Sequence, residues 1–221
     1  ALDEGTNGSI DDNIAIGLDA LVGGNLNTAS TAVNRNIAIG TNAMNSTGTN
    51  AQTGTIAIGY DALTALTSGT NNTVVGYQAA DAMTSANYNT AFGYQALSAE
   101  TIGHAATAFG DRALGLQNKA SDANTRNTGV GFFAGYNNVT GTDNTYLGFE
   151  AGKGGTGNNT GNTALGSLAL NAVTSGGSNV ALGKESLTSL TDGEKNIAIG
   201  YDAGKAITSA NRNIAIGYEA L

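Results

Sequence analysis

A short word of apolar and polar positions recurs along the chain: an asparagine, a large apolar or β-branched residue, a small residue, a second large apolar residue, then glycine. Asn13-Ile14-Ala15-Ile16-Gly17 and Asn196-Ile197-Ala198-Ile199-Gly200 are full copies. With that glycine as position 0, it falls at Gly17, Gly40, Gly59, Gly76, Gly93, Gly110, Gly131, Gly148, Gly166, Gly183, Gly200 and Gly217. Successive spacings are 23, 19, 17, 17, 17, 21, 17, 18, 17, 17 and 17 residues, so 17 is the base period and four coils carry insertions. Self-similarity at a fixed period of this kind predicts a solenoid, each repeat forming one coil that buries its apolar surface on its neighbours.

Each column of the repeat has its own character. Position −1 is large and apolar in every coil, and position −3 is always β-branched: isoleucine or valine in the outer coils, and threonine at Thr73, Thr90, Thr107, Thr128, Thr145 and Thr163. β-Branched residues favour strands, and alternate strand residues share a face, so −3 and −1 are expected to build the core. The opposite face is then position −2, with Ala15, Ala38, Ala57, Ala91, Ala108, Ala164, Ala181, Ala198 and Ala215, broken by Val74, Gly129 and Tyr146. An outward alanine column predicts close packing against another subunit. Position −4 holds Asn13, Asn36, Asn72, Asn89, Asn127, Asn144, Asn162, Asn179, Asn196 and Asn213, with Thr55 and Ala106 as departures. Asparagines in register predict an amide ladder along the axis. The glycine itself predicts a bend at positive φ, where a side chain would be strained.

After the glycine, alanine stands at +3 in eleven coils, with Ser186 the exception; leucine or a substitute follows at +4, and several coils add an apolar residue at +7, as in Leu66, Met83, Val173, Leu190 and Ile207. This spacing is compatible with a bent strand or a short helical turn. The expected architecture is therefore an all-β-dominated parallel β-roll, left-handed, of about twelve 17-residue coils, with either kind of second segment. Residues 1–12 read as a lead-in and residues 13–221 as one solenoid. The chain stops on the last residue of a complete motif, which predicts a piece of a longer polypeptide or a processed form.

Composition narrows the chemistry. Charged residues are 12% of the chain, the net charge is −8, and no basic run exists to displace phosphate counterions, which argues against nucleic-acid binding. Cysteine is absent and His104 is the only histidine, so neither a thiolate metal site nor a nucleophilic triad can be assembled. His104 reads as a surface residue. No apolar run is long enough to span a membrane. Gly152-Lys153-Gly154-Gly155-Thr156-Gly157 lacks the spacing of a phosphate loop. Glu185, Asp202 and Glu219 form a like-charged column at +2 near Lys184, Lys195 and Lys205, expected to be a solvated face. No catalytic residue, metal or cofactor is expected.

The glycine-centred copies, above all Asn13 to Gly17, Asn196 to Gly200 and Asn213 to Gly217, resemble the head repeats of trimeric autotransporter adhesins, the YadA-like parallel β-roll. The middle copies, such as Asn89-Thr90-Ala91-Phe92-Gly93-Tyr94-Gln95-Ala96-Leu97, are similar to repeats of phage tail fibres. The resemblance covers nearly the whole chain. It implies a homotrimer of parallel rolls displayed outside a cell, on its surface or on a virion, where it contacts a host glycan or protein. The repeat here is longer than the common adhesin head repeat.

Three further features bear on function. Tyr60, Tyr77 and Tyr94, and again Tyr201 and Tyr218, fall in one column and are expected to stack as solenoid packing. Longer loops run from Val22 to Arg35, from Asn45 to Gly54 and from Gly115 to Arg126. The last contains Lys119, Asp122 and Arg126 and is the most polar, which makes it a candidate recognition loop on a rigid scaffold. The expected function is a rigid extracellular fibre or adhesin that attaches to a surface or receptor. Alternatives are a filament subunit stacking end to end, and an ice-binding solenoid suggested by the six threonines, though a column shared with isoleucine implies that those threonines face inward.

Overall fold

The computed structural model describes residues 12–22, 33–46 and 52–221. The lead-in up to residue 11 and the central parts of the first two long loops, 23–32 and 47–51, lie outside the described residues. Fifteen short strands follow in order: β1 (Ile14–Ile16), β2 (Val33–Asn34), β3 (Ile37–Ile39), β4 (Gln52–Thr53), β5 (Ile56–Ile58), β6 (Gly69–Thr70), β7 (Thr73–Val75), β8 (Thr90–Phe92), β9 (Thr107–Phe109), β10 (Thr128–Val130), β11 (Thr145–Leu147), β12 (Thr163–Leu165), β13 (Val180–Leu182), β14 (Ile197–Ile199) and β15 (Ile214–Ile216). The three-residue strands form one twelve-stranded sheet in chain order, and β2, β4 and β6 form a small second sheet beside its N-terminal half. Every pairing is parallel and keeps the repeat in register, as in Ile14↔Ile37 and Thr107↔Thr128. The chain is a parallel β-solenoid whose twelve rungs, at the interstrand spacing, extend about 53 Å.

The strands stop after three residues because the glycine cannot be replaced. Its φ lies between 127° and 147° in all twelve coils. In eleven of them a Cβ would stand only 2.1–2.6 Å from the carbonyl oxygen of the next coil's glycine. The expected bend is therefore present, and close approach of successive backbones adds a second reason for glycine.

The second segment is neither a bent strand nor a helix; no helix occurs among the described residues. Instead φ alternates in sign through the turns that follow the glycine, positive at 0, +2 and +4 in every coil and positive again at −5. Asp61, Leu63 and Asn71 illustrate the three non-glycine positions, with φ of 53°, 51° and 58°. Left-handed backbone costs an L-residue about 1–2 kcal/mol. It persists because it sends N–H groups along the axis: Asp61 N–H donates to the Thr41 carbonyl at 3.0 Å and Leu63 N–H to the Ala79 carbonyl at 3.1 Å, one coil back and one coil on.

The core corrects the expected orientation of the strands. Positions −3 and −1 do not line the interior. The alanines at −2 do: Ala38, Ala57, Ala91, Ala108, Ala164, Ala181 and Ala198 have no exposed surface, Ala215 has almost none, and Ala15 packs partly buried against the same cluster. These alanines therefore cannot be a subunit interface. Across from them lie the +3 alanines and the residues at +4 and +7, such as Ala62, Leu63 and Leu66, also fully enclosed. A 17-residue coil is too narrow for large side chains from both walls. The turn side contributes leucine, so the strand contributes alanine. Alternation shows which residues share a face but not which face is inside, and both faces of this strand are apolar.

The asparagine ladder is present and buried. Where asparagines occupy successive coils, the amide oxygen of one accepts the backbone N–H of the next, as in Asn179 N–H to Asn162 Oδ1 and Asn196 N–H to Asn179 Oδ1, both at 2.9 Å. The Nδ2 group donates across its own coil to the last turn, from Asn162 to the Gly176 carbonyl and from Asn179 to the Gly193 carbonyl, each at 2.8 Å. One side chain thereby satisfies groups in two coils and closes its own. Thr55 and Ala106 receive the bond through their N–H groups, from Asn36 and Asn89, but have no amide to pass it on.

Candidate interface and recognition loop

Turning −3 and −1 outward places a continuous apolar stripe on the surface. Phe109 is 50% exposed, and Phe92, Leu147 and Leu165 nearly as much; Ile37, Ile39, Ile56 and Ile58 are half-buried. Phe92 and Phe109 stack with centroids 4.8 Å apart and planes 7° from parallel. The threonines Thr73, Thr90, Thr107, Thr145 and Thr163 are exposed in the same stripe, and Thr128 is half-buried. At about 53 Å long and about 10 Å wide, three residues of strand, the stripe has a footprint near 530 Å² per chain, from the strand spacing and rise. That is at the upper end of the largest apolar patch a typical monomer exposes, and patches of that size are often functional.

The +1 column flanks this stripe with aromatic rings. Tyr60, Tyr77 and Tyr94 stack at 5.2 and 5.5 Å, each pair within 12° of parallel, and Tyr201 stacks on Tyr218 at 5.4 Å. The Arg112 guanidinium covers the end of the first run, 4.9 Å from the Tyr94 ring and 5.4 Å from that of Phe133. The ring faces are used within the solenoid, as expected of packing.

On the +2 column Glu185 and Asp202 are neutralised by lysine. Lys205 Nζ lies 2.7 Å from Glu185 and 3.0 Å from Asp202, and Lys184 lies 3.1 Å from Glu185. Hydrogen bonds from Lys205 first and Lys184 second pull the Glu185 carboxyl down to about 2. Lys195 sits apart, 3.7 Å from Glu194.

The described insertion, between Gly115 and Arg126, is organised from beneath by the buried side chains of Glu100 and Gln117. Glu100 is fully buried at +7, where other coils carry Leu66, Met83 or Leu190. Its Oε1 accepts the N–H groups of Thr101, Ile102 and Gly103 at 3.0, 3.3 and 2.8 Å. Oε2 accepts Gln117 Nε2 at 3.0 Å and the Lys119 N–H at 3.4 Å. Gln117 in turn accepts from Asn127 Nδ2 at 2.8 Å, which ties the network to the ladder. A buried carboxyl group is tolerable only when it is so fully hydrogen-bonded. The next two coils carry Gln117 and Asn138 at the same position, so no lone polar residue marked Glu100 in the sequence.

The three candidate loop residues are spread over different contacts. Lys119 Nζ reaches the Thr140 carbonyl at 3.4 Å, and Arg126 holds Asp143 through two nitrogens, Nη2 at 2.9 Å. Asp122 bonds His104 Nε2, while His104 Nδ1 accepts the Asn87 N–H at 2.9 Å. His104 therefore links three coils rather than lying free on the surface. Hydrogen bonds to Arg126 hold the Asp143 carboxyl below its usual range.

Among the described residues no group of three His, Asp or Glu side chains is placed to hold a metal ion, and no helix is long and apolar enough to cross a membrane. No family model matches the sequence, and neither does any curated protein or solved structure compared with it.

Proposed function

We propose that this chain is a rigid structural rod of the fibre or adhesin kind, displayed on a cell or virion surface. In this reading it associates with copies of itself, side by side and in register, as a homotrimer that attaches to a surface glycan or protein. The observation that carries the reading is the outward apolar stripe. Its footprint is about two thirds of what one partner contributes to a standard stable interface. Its composition varies from coil to coil: isoleucine stands at both −3 and −1 in the coils of β1, β3, β5, β14 and β15, those of β8 and β9 pair threonine with phenylalanine, those of β11 and β12 threonine with leucine, and those of β7 and β10 threonine with valine. What stays constant is one apolar −1 residue per coil, which favours a partner with the same repeat spacing, and another copy has that spacing.

Light scattering on the purified chain tests the assembly. A mass of three chains is expected, falling to one chain in Phe92→Lys/Phe109→Lys; a monomeric parent protein would sink the reading. The ice-binding alternative has gained one supporting observation, because the threonines face outward rather than inward. Thermal hysteresis from a monomeric protein would favour it over the fibre. A filament reading predicts long fibres in electron micrographs instead of discrete rods.

A further inference from the structure

Position −6 carries a second set of side-chain acceptors. The N–H of a −6 residue donates to the side chain of the −6 residue one coil on: Thr70 N–H to Asn87 Oδ1 at 2.8 Å, Thr142 N–H to Thr160 Oγ1 at 3.4 Å and Glu194 N–H to Asn211 Oδ1 at 2.6 Å. In the coil of β9 the acceptor is His104, whose Nδ1 takes the Asn87 N–H at 2.9 Å. An amide or hydroxyl oxygen accepts whatever the pH, but a histidine nitrogen accepts only while it carries no proton. Histidine is also the side chain whose charge ordinarily changes between about pH 5 and 8.

The two neighbours fix the state of the ring. A backbone N–H can only donate, so Nδ1 is bare; Nε2 faces the Asp122 carboxylate, an acceptor, so Nε2 carries the hydrogen. A further proton would set N–H against N–H at Asn87 and leave the bond to Asp122 in place, now with charge attraction added. The break is therefore one-sided. The insertion also holds His104 by its backbone: the His104 N–H donates to the Ala123 carbonyl at 3.0 Å, and its carbonyl accepts the Thr125 N–H at 2.8 Å and the Thr125 hydroxyl at 3.0 Å. The other titratable groups around this corner are engaged elsewhere. Glu100 is turned to the N–H groups of Thr101, Ile102 and Gly103, Lys119 Nζ to the Thr140 carbonyl, and Arg126 to Asp143. Tyr88, next to Asn87, is exposed.

We infer that His104 is an acid-sensitive latch between the coil of β8 and the insertion between Gly115 and Arg126. On protonation it releases the Asn87 N–H and stays with Asp122, so the candidate recognition loop loses one of its fastenings to the rod. The latch is independent of the proposed assembly and of what the rod attaches to. Amide hydrogen exchange by NMR on the purified chain, at about pH 8 and about pH 5, tests it across the range in which histidine titrates. Protection is expressed relative to unfolded peptide, so that the intrinsic pH dependence cancels. Asn87 protection should fall roughly tenfold at the lower pH, the weight of one net hydrogen bond, while Glu194, bonded to Asn211 in the same manner, keeps its own. His104→Asn restores the acceptor used elsewhere in the column and should make Asn87 protection equal at the two pH values. His104→Ala should leave it low at both. Imidazole nitrogen resonances should show Nδ1 bare at the higher pH and both nitrogens protonated at the lower. A ring still neutral at the lower pH, Asn87 protection unchanged while the ring gains its proton, or an equal fall in His104→Asn would each overturn the inference.

Discussion

The coil of β13 and the coil of β11 solve one packing problem in opposite ways. In the first, Ala181 on the strand faces Leu187 and Leu190 from the turns. In the second, the strand sends in Tyr146, the largest fully buried side chain, and the turns retreat to Gly152 and Gly155. The glycines are a direct response. A Cβ on Gly152 would lie 2.1 Å from the Tyr146 ring, and one on Gly135, in the coil before, 2.6 Å from it. The Tyr146 hydroxyl donates to Asn159 Oδ1 at 2.9 Å, and burial raises its pKa. What each coil holds constant is the filled cross-section, not the identity of any one column.

Disturbing that balance should give the largest effects. Tyr146→Ala leaves a void lined by glycines that cannot fill it, and should cost about 3–5 kcal/mol in urea unfolding. Gly152→Leu alone should be similarly damaging, because the ring blocks its side chain. The pair Tyr146→Ala/Gly152→Leu rebuilds the arrangement of the β13 coil, where Leu187 sits at the same backbone angle, and should be more stable than either single variant. Additive losses would show that the two coils are not exchangeable solutions.

The ladder serves both coils alike and should respond alike. Asn179→Ala leaves the Gly193 carbonyl and the Asn196 N–H without their partner and should cost about 1–3 kcal/mol. Asn144→Ala, which strips the Asn159 carbonyl and the Asn162 N–H in the β11 coil, should match it, with hydrogen exchange rising in the adjoining coils. A smaller change, of opposite sign, comes from the −5 corner, where the β12 coil has Gly161 and the β13 coil the exposed Ser178 at φ of 58°. Ser178→Gly should stabilise by up to about 1 kcal/mol, less the entropy glycine loses on folding. The smallest effect lies at the surface. Glu185 has a folded pKa below its ordinary value, so its stabilisation is present above about pH 4.5 and disappears as pH falls toward about 2. Glu185→Gln should lower thermal stability slightly at neutral pH and converge on the parent protein as pH falls toward about 2.

Much of this architecture could be read from spacing alone. The coil count, the glycine bends and the asparagine ladder follow from residues that have only one sensible use at a fixed period. Orientation could not be read, because Ile197 and Ala198 are both apolar and nothing local says that the turn side has already supplied the large side chain. Only the cross-section decides, and it is set by Leu187 and its equivalents, about ten residues away. The turn segment was hidden for a related reason. Left-handed backbone at Leu63 or Asp61 contradicts residue preference and is maintained by bonds to neighbouring coils. At the candidate site, Lys119, Asp122 and Arg126 announced themselves as charges in an insertion. Glu100 needed the structure, which shows it buried and bonded to the loop.

The rise of one coil has a mechanical meaning. Seventeen residues drawn straight would reach about 58 Å, yet wound into a coil they advance the rod by about 4.8 Å. A load that peeled a single coil from the end of the stack would release roughly ten times the length it removed. The strands would unzip one rung at a time rather than shear together. A filament wound this way yields gradually under pull, paying out slack before it parts.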